Sequence, residues 1–254
     1  MAETFLDALE KLISLYQRVA KLNPALKKHY PIAIVEDQQF LIFDFDQGTY
    51  QFQKRASIPM PIPPGIHAAF QIEDYGGRIA CVVTPDVFDS DEGYVTILHE
   101  FIHCYQYETC EQEIKMKLDI ARQAQEKGNF MWEIEHPFPY TAANFTNPYA
   151  GFLNALAAED HVEVLVKRKM LKTYLGLHDY EYMVWQEWKE GFARWIENLV
   201  KRHLGMPENT GGLKQPYSRV LFYAGGEAFI SYLSKREPAL VNDLSALFYK
   251  LQAV

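Results

Sequence analysis

His99 and His103 stand four residues apart, with Glu100 beside the first, in the run Tyr94-Val-Thr-Ile-Leu-His-Glu-Phe-Ile-His-Cys-Tyr105. On a helix this spacing stacks the two imidazoles one turn apart, about 40° from each other around the axis. Both rings then face one point, which suits a Zn²⁺ ion held by neutral nitrogen donors. Glu100 lies near the same face and can take a proton from a water molecule there. That is the logic of metal-assisted hydrolysis. Five residues alone are a weak signal, but their setting strengthens it. Thr96, Ile97, Leu98, Phe101, Ile102 and Tyr105 carry no charge, so the helix is expected to be buried almost all round. Two histidines and a carboxylate in such a helix are costly unless something satisfies them. The plainer alternative is a pair of core histidines bonded to backbone carbonyls.

The elements around this helix must hold it in place. Asp89-Ser-Asp-Glu92 supplies cap candidates and first-turn carboxylates for its start. Upstream, Phe5, Leu9, Leu12, Tyr16 and Val19 predict an amphipathic docking helix over 3–22, ended by Asn23-Pro24. Residues 32–35, 40–45 and 49–53 read as short strands joined at Asp37-Gln38 and Asp46-Gln-Gly48. The four prolines of 57–65 predict a stiff, extended surface connector. Residues 67–73 and 78–84 form a second hairpin around Asp74-Tyr-Gly-Gly77. The metal helix is expected to continue to Gly128. Residues 129–150, rich in aromatics and proline, read as a long ordered loop, either a cleft wall or a packed crossover. His136, Glu133 and Glu135 in it have metal-ligating side chains but no diagnostic spacing. Helices are expected over 152–172, 178–202, 217–235 and 239–252. Strands first and helices after them predict an α+β fold.

A catalytic zinc takes three protein ligands. Glu190 is the leading candidate for the third, with Glu187, Glu159 and Glu163 as competitors. Gly191 beside it is costly inside a helix, which close approach to the metal helix would explain. Alternatively, Glu190 belongs to a solvated polar face with Glu187, Arg194 and Glu197. Cys104, about 100° off the histidine face, reads as a packed thiol.

HEFIH at 99–103 and EGFARWIE at 190–197 together resemble the gluzincin metallopeptidases, and Thr96 fits the residue usual three places before the first histidine. Tyr223-Ala-Gly-Gly-Glu-Ala-Phe-Ile-Ser-Tyr-Leu233 is similar to the Tyr-x-x-Gly segment of gluzincin aminopeptidases. The resemblance implies a zincin-like fold: a small mixed or antiparallel sheet and active-site helix, followed by a helical C-terminal subdomain. It implies a single catalytic domain over 1–254, with a sheet and metal-helix part at 1–128 and a mainly helical part at 129–254. It implies His99, His103 and Glu190 as Zn²⁺ ligands, Glu100 as general base and Tyr223 as oxyanion donor, with Tyr217 competing for that last role. An edge strand, with 78–84 the candidate, would pair with an extended substrate. No Gly-x-Met-Glu-Asn segment precedes His99, which shifts the expectation from aminopeptidase toward endopeptidase. Arg194 stands where thermolysin-like members carry an Asp that orients a histidine, so the partner fixing the histidine rings is left open.

Composition bounds the partners. A net charge of −8 over 254 residues, with no basic block, disfavours nucleic acid and anionic membrane surfaces. No apolar run is long enough to span a bilayer. Cys81, Cys104 and Cys110 suggest no disulfide framework, and the N-terminus lacks a signal pattern. The expectation is a cytoplasmic zinc-dependent peptidase acting on a peptide or protein. The rivals are a hydrolase of a non-peptide substrate on the same scaffold and a non-catalytic binding protein.

Overall fold

The structure, a computed structural model, describes residues 2–254. The chain is α+β and divides into two compact units. The first comprises the chain up to Thr109 together with Ile196–Glu208. The second comprises Cys110–Trp195 and Asn209–Val254.

In the first unit, α1 (Leu6–Val19) buries Leu9, Leu12, Ile13, Tyr16 and Val19 along one side. Their spacing of three and four residues is that of an apolar helix stripe. Five strands follow: β1 (Ile32–Glu36), β2 (Gln39–Asp46), β3 (Thr49–Ser57), β4 (Ala68–Ile72) and β5 (Arg78–Val83). They form one sheet in the order β3-β2-β1-β5-β4. β1 and β5 are parallel, and every other pair is antiparallel. Asp37 and Gln38, with φ of 49° and 59°, make the tight β1–β2 turn, and Gln47 and Gly48 make the β2–β3 turn the same way. Left-handed pairs of this kind match the twist of the strands they join.

The central strands β1 and β5 bury consecutive residues, Ile32 to Ile34 and Ile79 to Val83. Burial on both faces explains why they read as unbroken apolar runs. One face is the cluster of Ala33, Phe40, Ile42, Ala56, Ile72, Ala80 and Val82. Ile58 and Ile62 of the proline-bearing connector pack onto it. The connector is therefore a partial cover for the sheet as well as an extended surface strap. Residues 78–84 do not form an edge. β5 is hydrogen-bonded on both sides, to β1 and to β4, so its backbone has no ladder left for a substrate. The edges are β3 and β4.

A 3-10 turn at Pro85–Asp89 leads from β5 into α2 (Asp91–Gln106), the helix carrying His99, Glu100 and His103. Ser90 caps it, its Oγ accepting from the Gly93 N–H at 3.1 Å. Asp91 and Glu92 occupy the first turn, where carboxylates complement the helix dipole. A Cβ on Gly93 would lie 1.8 Å from the Val87 carbonyl oxygen, so only glycine lets the helix begin this close to the preceding turn.

The expected continuous helix to Gly128 is broken. After Gln106 the chain winds as a π-turn at Tyr107–Glu111, then forms α3 (Gln112–Lys117) and α4 (Asp119–Glu126). Leu118, with ψ of 129°, interrupts the pair.

In the second unit the expected loop at 129–150 holds a short helix, α5 (Trp132–Glu135), and much of α6 (Ala143–Ala157). α6 buries Phe145, Pro148, Tyr149 and Phe152, which share one helical face. Pro148 removes one backbone donor from α6, and with Asn144, Thr146 and Asn147 it obscured that pattern. The expected helix at 152–172 is two helices. Glu159, with φ of 54°, turns the chain, and Asp160 caps α7 (His161–Tyr174) by accepting from the Glu163 N–H. α8 (Leu177–Leu204) is unbroken, with residues 177–195 in the second unit and 196–204 in the first. α9 (Val220–Arg236) and α10 (Leu244–Ala253) complete the chain. Among the described residues, no helix is long and apolar enough to cross a membrane.

Candidate metal centre

In the first unit, α2 brings His99, Glu100 and His103 together. One ligand atom from each lies within 4.8 Å of the others. The three side chains are 8%, 8% and 7% exposed, so their polar atoms must be satisfied within the protein or by a bound group. The two imidazole centroids are 4.9 Å apart and their planes are inclined at 76°.

Each ring has a partner at Nδ1. Glu197 Oε2 lies 3.1 Å from His99 Nδ1, and Gln106 Oε1 lies 2.9 Å from His103 Nδ1. A carboxylate oxygen only accepts, so His99 Nδ1 donates; the Gln106 carbonyl oxygen accepts from His103 in the same way. With Nδ1 as the donor, Nε2 is the ring nitrogen that can offer a lone pair to a metal. Lys201 Nζ lies 3.3 Å from Glu197 Oε1, within a side chain only 9% exposed. The sequence reading named Glu197 only in its alternative of a solvated polar face and left the histidines' partner open; the structure assigns Glu197 and Gln106 to that position. The available signals were Gln106 three residues after His103 and Glu197 seven after Glu190, both helical spacings.

In the second unit, Glu190 of α8 and Tyr223 of α9 share a neighbour. Arg219 Nη1 donates to Glu190 Oε1 at 3.0 Å, and the Arg219 guanidinium lies 5.4 Å from the Tyr223 ring centroid. Arg194 lies at the same distance from that ring. Gly191 and Gly226 set this geometry. A Cβ on Gly191 would be 2.6 Å from Gly226 Cα, and one on Gly226 would be 2.3 Å from the Glu187 carbonyl oxygen. The backbone that Gly191 admits is thus that of α9, which corrects the expectation that it admits the metal helix.

The competing carboxylates have other partners. Glu187, fully buried, accepts from Arg168 at 3.0 Å and from the Tyr149 hydroxyl at 2.9 Å. Glu159 pairs with Lys235 and Glu163 with Lys167. His136 Nε2 lies 2.7 Å from Asp179, while Glu133 bonds Lys115, Lys189 and the Trp185 indole. Glu135 is exposed. Tyr217 lies half-buried in the loop before α9. Cys104 is fully buried, and Cys81, Cys104 and Cys110 form no disulfide among the described residues.

No family model, curated protein or solved structure matches this chain. The site's own geometry therefore carries the functional argument. In the first unit that geometry offers two oriented imidazoles with a carboxylate beside them; in the second, a carboxylate and a phenol share Arg219.

Proposed function

We propose that this chain is a zinc-dependent hydrolase of the gluzincin type, most simply a peptidase. The reading is carried by the Nδ1 contacts of His99 and His103 to Glu197 and Gln106. A purely structural histidine pair needs no such matched orientation. Two rings with Nδ1 protonated present Nε2 as the donor, the tautomer that suits Zn²⁺. Glu190 is the proposed third ligand. It lies seven residues before Glu197 on α8, about 20° from it around the axis.

Bound Zn²⁺ supplies Lewis acidity toward a scissile carbonyl and the attacking water. The chain's own groups do the rest. Glu100 accepts the proton of the attacking water and returns it to the leaving amine. The Tyr223 hydroxyl donates to the oxygen on which negative charge develops. Glu197 holds the His99 ring through the cycle, and Gln106 holds that of His103. The proposed setting is cytoplasmic, in keeping with three buried cysteines outside any disulfide.

The test combines zinc analysis with mass-spectrometric digestion of a diverse peptide library, comparing the wild type with Glu100→Gln. One zinc per chain in both, with cleavage by the wild type alone, is expected. A Glu100→Gln variant that cuts at the wild-type rate would remove Glu100 from the mechanism. A wild type that holds zinc and cleaves nothing would refute the peptidase reading.

A further inference from the structure

We infer that Arg219 is a substrate-binding residue that recognises a carboxylate on the substrate. The inference deepens the hydrolase reading and rests on it for the placement of Glu190 and Tyr223 at the site. Arg219 is the last residue before α9, where the loop after α8 meets the helix. Its side chain is 31% exposed, whereas that of Glu190, its ion-pair partner, is 10% exposed. The guanidinium donates one hydrogen bond, from Nη1 to Glu190, and lies over the Tyr223 ring.

Those two contacts restrain the group. A guanidinium carries five N–H donors, and this one, partly exposed, makes a single hydrogen bond to Glu190. A planar donor fork held in one orientation matches a carboxylate in bidentate fashion. It is also the proposed donor tyrosine's immediate neighbour, so a carboxylate bound there is held beside the reacting group. A lysine would neutralise Glu190 as well but would present no fork. The aromatic ring that Arg219 lies over is that of Tyr223, 5.4 Å away. The chemistry selected is therefore a carboxylate attached to a peptide, either the C-terminal carboxylate or an Asp or Glu side chain.

The test uses the full-length, zinc-loaded protein and N-acetylated tripeptides in matched pairs. One arm compares C-terminal acids with C-terminal amides. The other compares Asp and Glu with Asn and Gln in C-terminally amidated peptides. Calorimetric affinities are measured in the Glu100→Gln background, where turnover is suppressed. In at least one arm the carboxylate member is expected to bind ten-fold or more tightly, and the arm that shows it identifies the source. Arg219→Gln should bring that ratio close to one with zinc content unchanged. Arg219→Lys, which keeps the charge, should retain part of it. A ratio near one in both arms, or a preference that survives Arg219→Gln, overturns the inference. Cleavage is scored separately. A carboxylate preference without any cleavage by the wild type would sink the hydrolase reading and leave carboxylate recognition standing.

Discussion

Glu197 accepts a hydrogen bond from His99 Nδ1 at 3.1 Å, although 98 residues separate them in sequence. This bond sets which ring nitrogen of His99 is available to a metal, and Lys201 Nζ lies 3.3 Å from the other oxygen of the carboxylate. A removal of the carboxylate charge should therefore be felt at the metal. Glu197→Gln is expected to weaken zinc affinity by roughly 10–100-fold, read by competition with a chromophoric chelator. An unchanged affinity would show that the contact orients nothing.

The fully buried pair of Arg168 and Glu187 makes a prediction about stability. Arg168 donates from Nη1 to Glu187 Oε1 and from Nη2 to the Leu251 carbonyl, Nη2 lies 2.6 Å from Glu187 Oε2 as an ion pair, and neither side chain is exposed. Arg168→Met leaves a buried, unpaired carboxylate and should cost about 3–5 kcal/mol in urea unfolding. Adding Glu187→Leu should recover part of that loss. Recovery stays incomplete because the Tyr149 hydroxyl then lacks its acceptor. A double variant no more stable than Arg168→Met alone would contradict this account.

The crossing of α8 and α9 is expected to tolerate no side chain. Gly226→Ala places a Cβ 2.3 Å from the backbone oxygen of Glu187, and neither helix can yield without repacking. A loss of about 1–3 kcal/mol or more follows, seen as a lowered Tm. Gly176→Ala serves as the control, because a Cβ there meets nothing within 4 Å. Equal Tm values for the two variants would remove the steric argument.

Glu133 should make stability depend on acid. Burial pushes its carboxyl up, but Lys189 and Lys115 outweigh this and hold it down at about 2, against 4.5 for an ordinary glutamate. The folded state thus binds a proton at Glu133 less readily than the unfolded state. Its contribution is complete above the unfolded value and is lost as pH falls through the folded one. Between pH 5 and pH 2 the wild type should lose on the order of 3 kcal/mol that Glu133→Gln does not. Chemical denaturation of both proteins across that interval measures the difference. Parallel curves would mean that the lysines do not hold the carboxylate in its charged form.

What could be read from the residues was what local pattern encodes. The β1–β2 and β2–β3 hairpins were legible because short polar turns separate β-branched and aromatic runs. α2 was legible because its cap, its first-turn carboxylates and its histidine spacing agree. Other features depend on contacts between distant segments. Nothing local marks β5 as the parallel partner of β1, so an interior strand read as an edge. α6 escaped because Pro148 and its polar neighbours masked a face made by Phe145, Tyr149 and Phe152. Glu197 escaped for a related reason: a carboxylate on a polar helix face is solvated or buried according to what the fold lays against it. Gly191 signalled a close approach correctly, but a glycine does not name its neighbour.

The first unit is built from two stretches of chain, one ending at Thr109 and the other running from Ile196 to Glu208. Its order of appearance on the ribosome follows from that. The two histidines emerge first, and Glu197 is added roughly 5–20 s later at ordinary rates of synthesis. During that interval the nascent helix lacks the acceptor that fixes the His99 ring, and Lys201 comes later still. The unit therefore cannot close while it is being made; it waits for α8. A nascent chain arrested before residue 196 would carry the whole His-Glu-x-x-His stretch without the acceptor of His99, so the late arrival of one helix acts as a timer on the orientation of that ring.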